Sequence, residues 1–224
     1  MKALRSLLFS MLLIASSSVC FAQINIKASY KPSLLTTSTD IDKTLYMHGL
    51  AMDVSYNFPI HNHIPLNIET GLGFHYLFHN APLGESYAPT DYQLSNLYLP
   101  VRLSYNIKLS NRYSLAPYAG LYGRYFLHYK ETTKYSYDQQ STPTIKYPFK
   151  GKYAELIYDR FQMGGQIGFT LMADEHFVLE VGYGCDFGNF MSDYSYVGNA
   201  DLEKLDPRYK KRFHTLTLGL GYRF

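Results

Sequence analysis

Charge placement is the first chemical signal in this sequence. Lys27, Asp53, Glu69, Arg102, Arg124, Glu180, Asp186 and Arg223 each sit within, or at the end of, a stretch in which apolar and polar residues alternate. All eight take the polar parity. Four are cations and four are anions, so an interior that held them all would be charge-balanced. Burying charge is costly unless each group is paired and hydrogen-bonded. A network of interior salt bridges is therefore the expected role of this set, and a proton or ion path is the sharper reading of the same residues.

The histidines offer less. His61 and His63 flank Asn62 at a spacing that puts both rings on one side of a turn. Such a pair could hold a metal weakly, and a solvated polar turn is the simpler reading. His75, His79 and His128 fall toward the outer ends of two segments. His128 with Glu131 is the nearest approach to the histidine and acid of a hydrolase, but spacing places no serine beside them. His214–Thr215 is equally sparse. The residues thus assign no catalytic, cofactor-binding or metal site. An envelope enzyme acting on lipid A, an acyl hydrolase or acyltransferase, stands as the alternative to a binding or structural protein.

The elements that must position these charges are strands. In the last of them Leu216, Leu218, Leu220, Tyr222 and Phe224 alternate with Thr215, Thr217, Gly219, Gly221 and Arg223. A period of two puts one set on each face. The same alternation marks residues 24–30, 46–58, 66–78, 96–108, 113–129, 161–172 and 177–190, with Pro32 and Pro59 read as strand ends. Eight strands result. The connections after the second, fourth and sixth are short, and those after the first, third, fifth and seventh are long. Short turns on one side and long loops on the other are the outer-membrane pattern, and an even strand count brings both ends of the barrel to the short-turn side. The apolar parity carries large Leu, Phe and Tyr. The polar parity is rich in Gly and small residues, which suit the narrow interior of eight strands. The expected fold is an all-β, eight-stranded antiparallel transmembrane up-and-down β-barrel. A soluble barrel with its faces reversed is the competing arrangement. There the apolar parity would line the inside, and the charges would meet water.

Composition agrees with the membrane arrangement. The chain has 23 Tyr and 14 Phe but no Trp, more aromatic residues than a soluble core needs and suited to interfacial girdles. Beyond the N-terminus no run approaches the ~18 apolar residues of a helical span. At the N-terminus, Lys2 and Arg5 precede an apolar stretch, then small residues and Ala22, so residues 1–22 read as a signal peptide and 23–224 as the barrel domain. Loss of Lys2 and Arg5 takes the 21 basic side chains to 19 against 18 acidic ones, which gives no reason to propose a nucleic-acid partner. The remaining cysteine, Cys185, has no partner for an intrachain disulfide and reads as a small apolar strand residue.

Three stretches carry a resemblance: Phe21-Ala22-Gln23 at the end of the leader, Leu97-Tyr98-Leu99-Pro100-Val101-Arg102-Leu103, and Gly219-Leu220-Gly221-Tyr222-Arg223-Phe224. Together they make the chain resemble the PorT-like family of small outer-membrane β-barrel proteins. The resemblance implies the barrel fold, residence in the outer membrane, and in some members a link to protein secretion. It implies no catalytic residues. It also implies that Tyr222 and Phe224 form a C-terminal signal for the barrel-assembly machinery. The expected partners are outer-membrane lipid, that machinery, and an extracellular or envelope protein or glycan. The tyrosines and lysines between Lys130 and Tyr158 suit recognition of such a ligand.

Overall fold

The structure, a computed structural model, describes residues 23–37, 45–61, 64–80, 90–133, 144–147, 159–188, 190, 194–197, 201–204 and 211–224. Their alternating strands cannot bury the apolar parity and satisfy an open sheet edge at once, and closure removes the edge. Strand β1 comprises two successive segments, Gln23–Tyr30 and Ser33–Thr37. β2 is Leu45–His61, β3 Ile64–His79, β4 Thr90–Tyr105, β5 Tyr113–Thr133, β6 Phe161–Ala173, β7 Phe177–Asp186 and β8 Lys211–Arg223. Each strand pairs antiparallel with the next, and β8 returns to β1, with Asn25 opposite Arg223 and Tyr30 opposite Leu218. The eight-stranded antiparallel barrel expected from the alternation is the observed fold. Thr144–Tyr147 adds to the far end of β5, and Tyr194–Val197 pairs with Asp201–Lys204 in a separate hairpin.

Two prolines act differently from the expectation. Pro32 interrupts β1 without ending it. Lys31 N–H donates to Gly49 O at 2.8 Å, and Pro32 O accepts from Leu216 N–H at 3.0 Å. The missing proline N–H therefore falls in a gap between the two segments, and the ladder resumes at Ser33. Pro59 lies inside β2, which continues to His61 through a register shift between the two. A second irregularity lies at Ser95/Asn96, where Ser95 pairs with His128 but Asn96 pairs with Phe126. This bulge gives β5 one extra residue and reverses its parity beyond Phe126. Tyr129 consequently points inward, whereas the alternation alone assigns that direction to His128. β7 also ends at Asp186, short of the expected Phe190.

The outward face is a band of Leu, Ile, Val and Met. Met52 is 68 % exposed and Leu50 58 % exposed. Aromatic residues border it on both sides: Tyr46, Tyr125, Phe161, Tyr183 and Phe187 toward the long connections, and Tyr56, Tyr105, Tyr113, Phe177, Tyr222 and Phe224 toward the short turns. From Tyr46 to Tyr56 the strand advances roughly 33 Å, which is about 25 Å along the axis of a barrel whose strands tilt by about 40°. That is the height of an outer-membrane apolar band, and it rejects the arrangement with reversed faces.

The turn between β6 and β7 is tight. His176 N–H donates to Ala173 O at 3.2 Å, and Asp174 and Glu175 take φ values of 51° and 64°. Two successive positive φ values define the mirror-image turn that suits a twisted hairpin, a turn normally filled by Asn-Gly or Asp-Gly. Glu175→Gly is expected to raise the unfolding free energy by about 1 kcal/mol through relief of backbone strain, measured as a shift in the urea midpoint. Arg112 crosses to this turn and grips Asp174 with two hydrogen bonds of 2.7 and 3.0 Å. That pairing holds the Asp174 carboxyl below its usual range.

Candidate functional site

The inward parity gathers the charges. Lys27 on β1 reaches Glu69 Oε1 on β3 at 2.7 Å and Glu180 Oε2 on β7 at 2.8 Å. Arg102 on β4 meets Glu180 Oε1 at 2.9 Å and stands 3.7 Å from Glu69. Neutral groups complete the layer. Tyr118 O–H donates to Glu180 at 3.0 Å, and Ser55 O–H donates to Glu69 at 2.8 Å. Gln166 Oε1 accepts from Tyr98 O–H and from Arg102 Nε–H. Tyr118 lies flat across the narrow interior because Gly168 and Gly182 make room for it. A Cβ at Gly168 would stand 2.6 Å from its ring, and one at Gly182 would collide with its hydroxyl.

Toward the long connections, Lys31 Nζ lies 3.2 Å from Asp53 Oδ2 and 2.9 Å from His75 Nε2. His75 Nε2 is also 3.0 Å from Asp53 Oδ1. That nitrogen can donate to the carboxylate or accept from the ammonium, one at a time. His75 stacks on Tyr98 with ring centres 4.4 Å apart. Higher still, Asp186 Oδ1 accepts from Tyr122 O–H at 2.5 Å and stands 3.6 Å from Arg124 Nη2.

Arg124 is the boundary. Its guanidinium lies 5.4 Å from the centres of both the Tyr122 and Phe213 rings and 5.9 Å from that of Phe126, distances at which a cation is attracted to an aromatic face. Beyond it the interior turns apolar. Leu35, Met47, Leu77, Leu94, Phe126, Tyr129, Phe190 and Phe213 form one buried cluster. Phe190 enters this cluster from beyond the end of β7. Its N–H donates to Lys211 O at 2.8 Å and its carbonyl accepts from Asp159 N–H at 3.1 Å. Its ring packs 4.9 Å from Phe126 and 5.1 Å from Phe213, centre to centre. Two cavities in the charged part have about 10 Å³ each. One is lined by Lys31, His75, Tyr98, Tyr122 and Arg124, the other by Asn25, Lys27, Glu69 and Arg223. Each is about large enough for one water molecule.

Seven of the eight residues singled out by parity therefore meet inside the barrel, where each is at most 7 % exposed. Arg223 stands apart at the short-turn end, where its Nε–H donates to Asn25 Oδ1 at 2.8 Å. Lys31 joins the network, so among the described residues four cations and four anions meet there, while Arg223 lines the cavity at the short-turn end. Sequence reasoning missed Lys31 because Pro32 looked like a stop, although Lys27, Ser29, Lys31 and Ser33 share one parity. It also placed His75 at the outer rim with His79 and His128, whereas His75 is buried at mid-barrel. His79 Nδ1 contacts Tyr46 O at 2.7 Å. His128 faces Ser95 across β4 and β5 by register. Among the described residues, no hydrogen bond joins these two. The His61 and His63 side chains, the leader at residues 1–22 and most of the tyrosine- and lysine-bearing segment after Lys130 lie outside the described residues. Tyr222 and Phe224 project outward, with ring centres 4.9 Å apart.

A family model described as outer membrane protein beta-barrel domain matches residues 20–192. No curated protein matches the chain. Among solved structures, the chain is similar to Ail, the attachment invasion locus protein of Yersinia pestis, in complex with the heparin analogue sucrose octasulfate. The identity is 15 %, over 91 % of this chain and 99 % of that one, with a TM-score of 0.46. Neisserial surface protein A is 12 % identical over 91 % and 97 % of the two chains, with a TM-score of 0.45. The N-terminal barrel domain of Pseudomonas aeruginosa OprF is 11 % identical over 90 % and 97 %, with a TM-score of 0.33.

Proposed function

The chain belongs to the outer membrane protein beta-barrel domain family, and from this we propose that it is a non-conducting outer-membrane anchor whose long connections bind a protein or glycan partner at the cell surface. What supports the reading is the packing of the inward side chains among the described residues. A layer of salt bridges lies beside an apolar cluster, and the two cavities in that layer have about 10 Å³ each, less than a solute needs. A barrel closed in this way acts through its surfaces, and the long connections are where sequence and length vary without disturbing the fold. The finer kinship with PorT-like barrels, an accessory role in protein secretion, delivery by a signal peptide at residues 1–22, and recognition of Tyr222 and Phe224 by the barrel-assembly machinery belong to the same proposal.

Liposome swelling and planar-bilayer recording test it directly. The purified barrel is expected to admit no sugar and to give no conductance steps, and protease added to intact cells is expected to cut between residues 134 and 158. Sugar entry would overturn the closed interior. The alternative, a lipid-A-modifying acyl hydrolase or acyltransferase, predicts a changed lipid-A acyl pattern in a deletion strain. The anchor reading predicts an unchanged one by mass spectrometry.

A further inference from the structure

The outward face repeats one polar device at its aromatic border. Tyr30 O–H lies 2.6 Å from His48 Nδ1, with ring centres 6.1 Å apart and planes tilted by 33°. Tyr183 O–H lies 2.6 Å from His214 Nδ1, with ring centres 6.1 Å apart and planes tilted by 32°. Tyr46 adds its hydroxyl 3.2 Å from that of Tyr30. The two devices flank β1. Leu34 is opposite Tyr46 on one side and opposite His214 on the other. Arg212 shares the outward parity of His214 and lies one step nearer the long connections, since Phe213 between them is fully buried. Its Nε atom is buried without a hydrogen-bond partner, so the charge it brings to this face is carried by the rest of the guanidinium.

Hydrocarbon gives such groups nothing to bond, and an unpaired polar group there is costly. A tyrosine hydroxyl donating to Nδ1 fixes the neutral ring with its proton on Nε2. With Nδ1 so engaged, each ring has Nε2 left to donate away from its tyrosine. On the outward faces of β1, β2, β7 and β8, no carboxylate accompanies these donors among the described residues. The surface therefore offers donors and one fixed positive charge, at the level where the apolar band ends. We infer that Tyr30, Tyr46, His48, Tyr183, Arg212 and His214 form a binding site for the phosphate-bearing headgroup of an outer-leaflet lipid seated across β1. This complementarity is electrostatic and directional, as phosphate recognition by arginine and N–H donors requires. The inference rests on the proposed orientation, with the long connections outside.

Native mass spectrometry of the detergent-solubilised barrel, titrated with diphosphoryl lipid A and with the same lipid stripped of phosphate, tests the site. The expected result is about tenfold tighter retention of the phosphorylated lipid, a difference of ~1.4 kcal/mol. The double variant His48→Phe/His214→Phe and the single variant Arg212→Gln are each expected to abolish that preference. Both leave the interior untouched, and an unchanged shift between boiled and unboiled gel bands verifies their fold. Equal retention of the two lipids by the parent protein, or an undiminished preference in the folded variants, would overturn the site. Because binding is read on purified protein, its failure is separate from a failure of the orientation, which protease treatment of intact cells reports.

Discussion

Glu180→Ala is expected to lower the unfolding free energy of the barrel by about 3–5 kcal/mol, the cost of breaking a buried pair so that its partners stay charged and uncompensated. Glu180 is 3 % exposed and joins Lys27 at 2.8 Å to Arg102 at 2.9 Å. Without it, only Glu69 faces two cations, and the Tyr118 hydroxyl loses its acceptor. Urea unfolding in lipid vesicles, followed by the loss of the heat-modifiable gel band, measures the effect. Lys27→Met added to Glu180→Leu removes one charge of each sign and leaves Arg102 with Glu69. It is expected to recover more than half of the loss, because apolar replacement of a whole buried pair is often neutral. A single-variant loss below about 1 kcal/mol would mean that water reaches the layer and screens it, contrary to a closed interior.

The second large effect lies on the other face. Met52→Arg is expected to cost about 2–4 kcal/mol, and Ile64→Arg about 0–1 kcal/mol, by the depth dependence of arginine on a lipid-facing strand. Both side chains are well exposed, at 68 % and 52 %. In water, substitution of residues this exposed would cost no more than about 0.5 kcal/mol at either position. The difference arises because Met52 lies between the two aromatic borders, whereas Ile64 opens β3 beside the short turn. Equal costs at the two positions in the same vesicle assay would contradict the membrane placement of the band.

The two variants probe opposite faces of β1–β8, and the two faces are legible in the sequence. A strand has a side-chain period of two, and lipid and lumen differ sharply in what they accept, so each strand carries its orientation in its own residues. Parity alone put Lys27, Asp53, Glu69, Arg102, Arg124, Glu180 and Asp186 on one face, and the outer-membrane pattern of connections made that face the expected inside. The eight alternating stretches likewise set the number of strands, and an even count brought both ends of the barrel to one side.

Pairing inside the lumen was not legible, because it is a property of the closed ring. Lys27 and Glu180 lie 153 positions apart in the chain and meet because β1 and β7 face the same narrow interior. Register and tilt set their common height, and neither is written in the period of either strand. Proline was also misleading from sequence. Pro32 was compatible with continuation of β1 because Lys31 N–H and Pro32 O could bond to opposite neighbours. The bulge at Ser95/Asn96 turned Tyr129 inward in place of His128 through a mismatch between two strands. Phe190 joined the cap by a backbone bridge between Asp159 and Lys211, residues that come together only when β6 and β8 stand in one ring. The sequence by itself thus determined which side chains share a face, outside the bulged end of β5, since that depends on a residue and its neighbours two positions away. Tertiary structure decided which charges neutralise one another and which apolar side chains gather beyond them, since both depend on closure of the sheet.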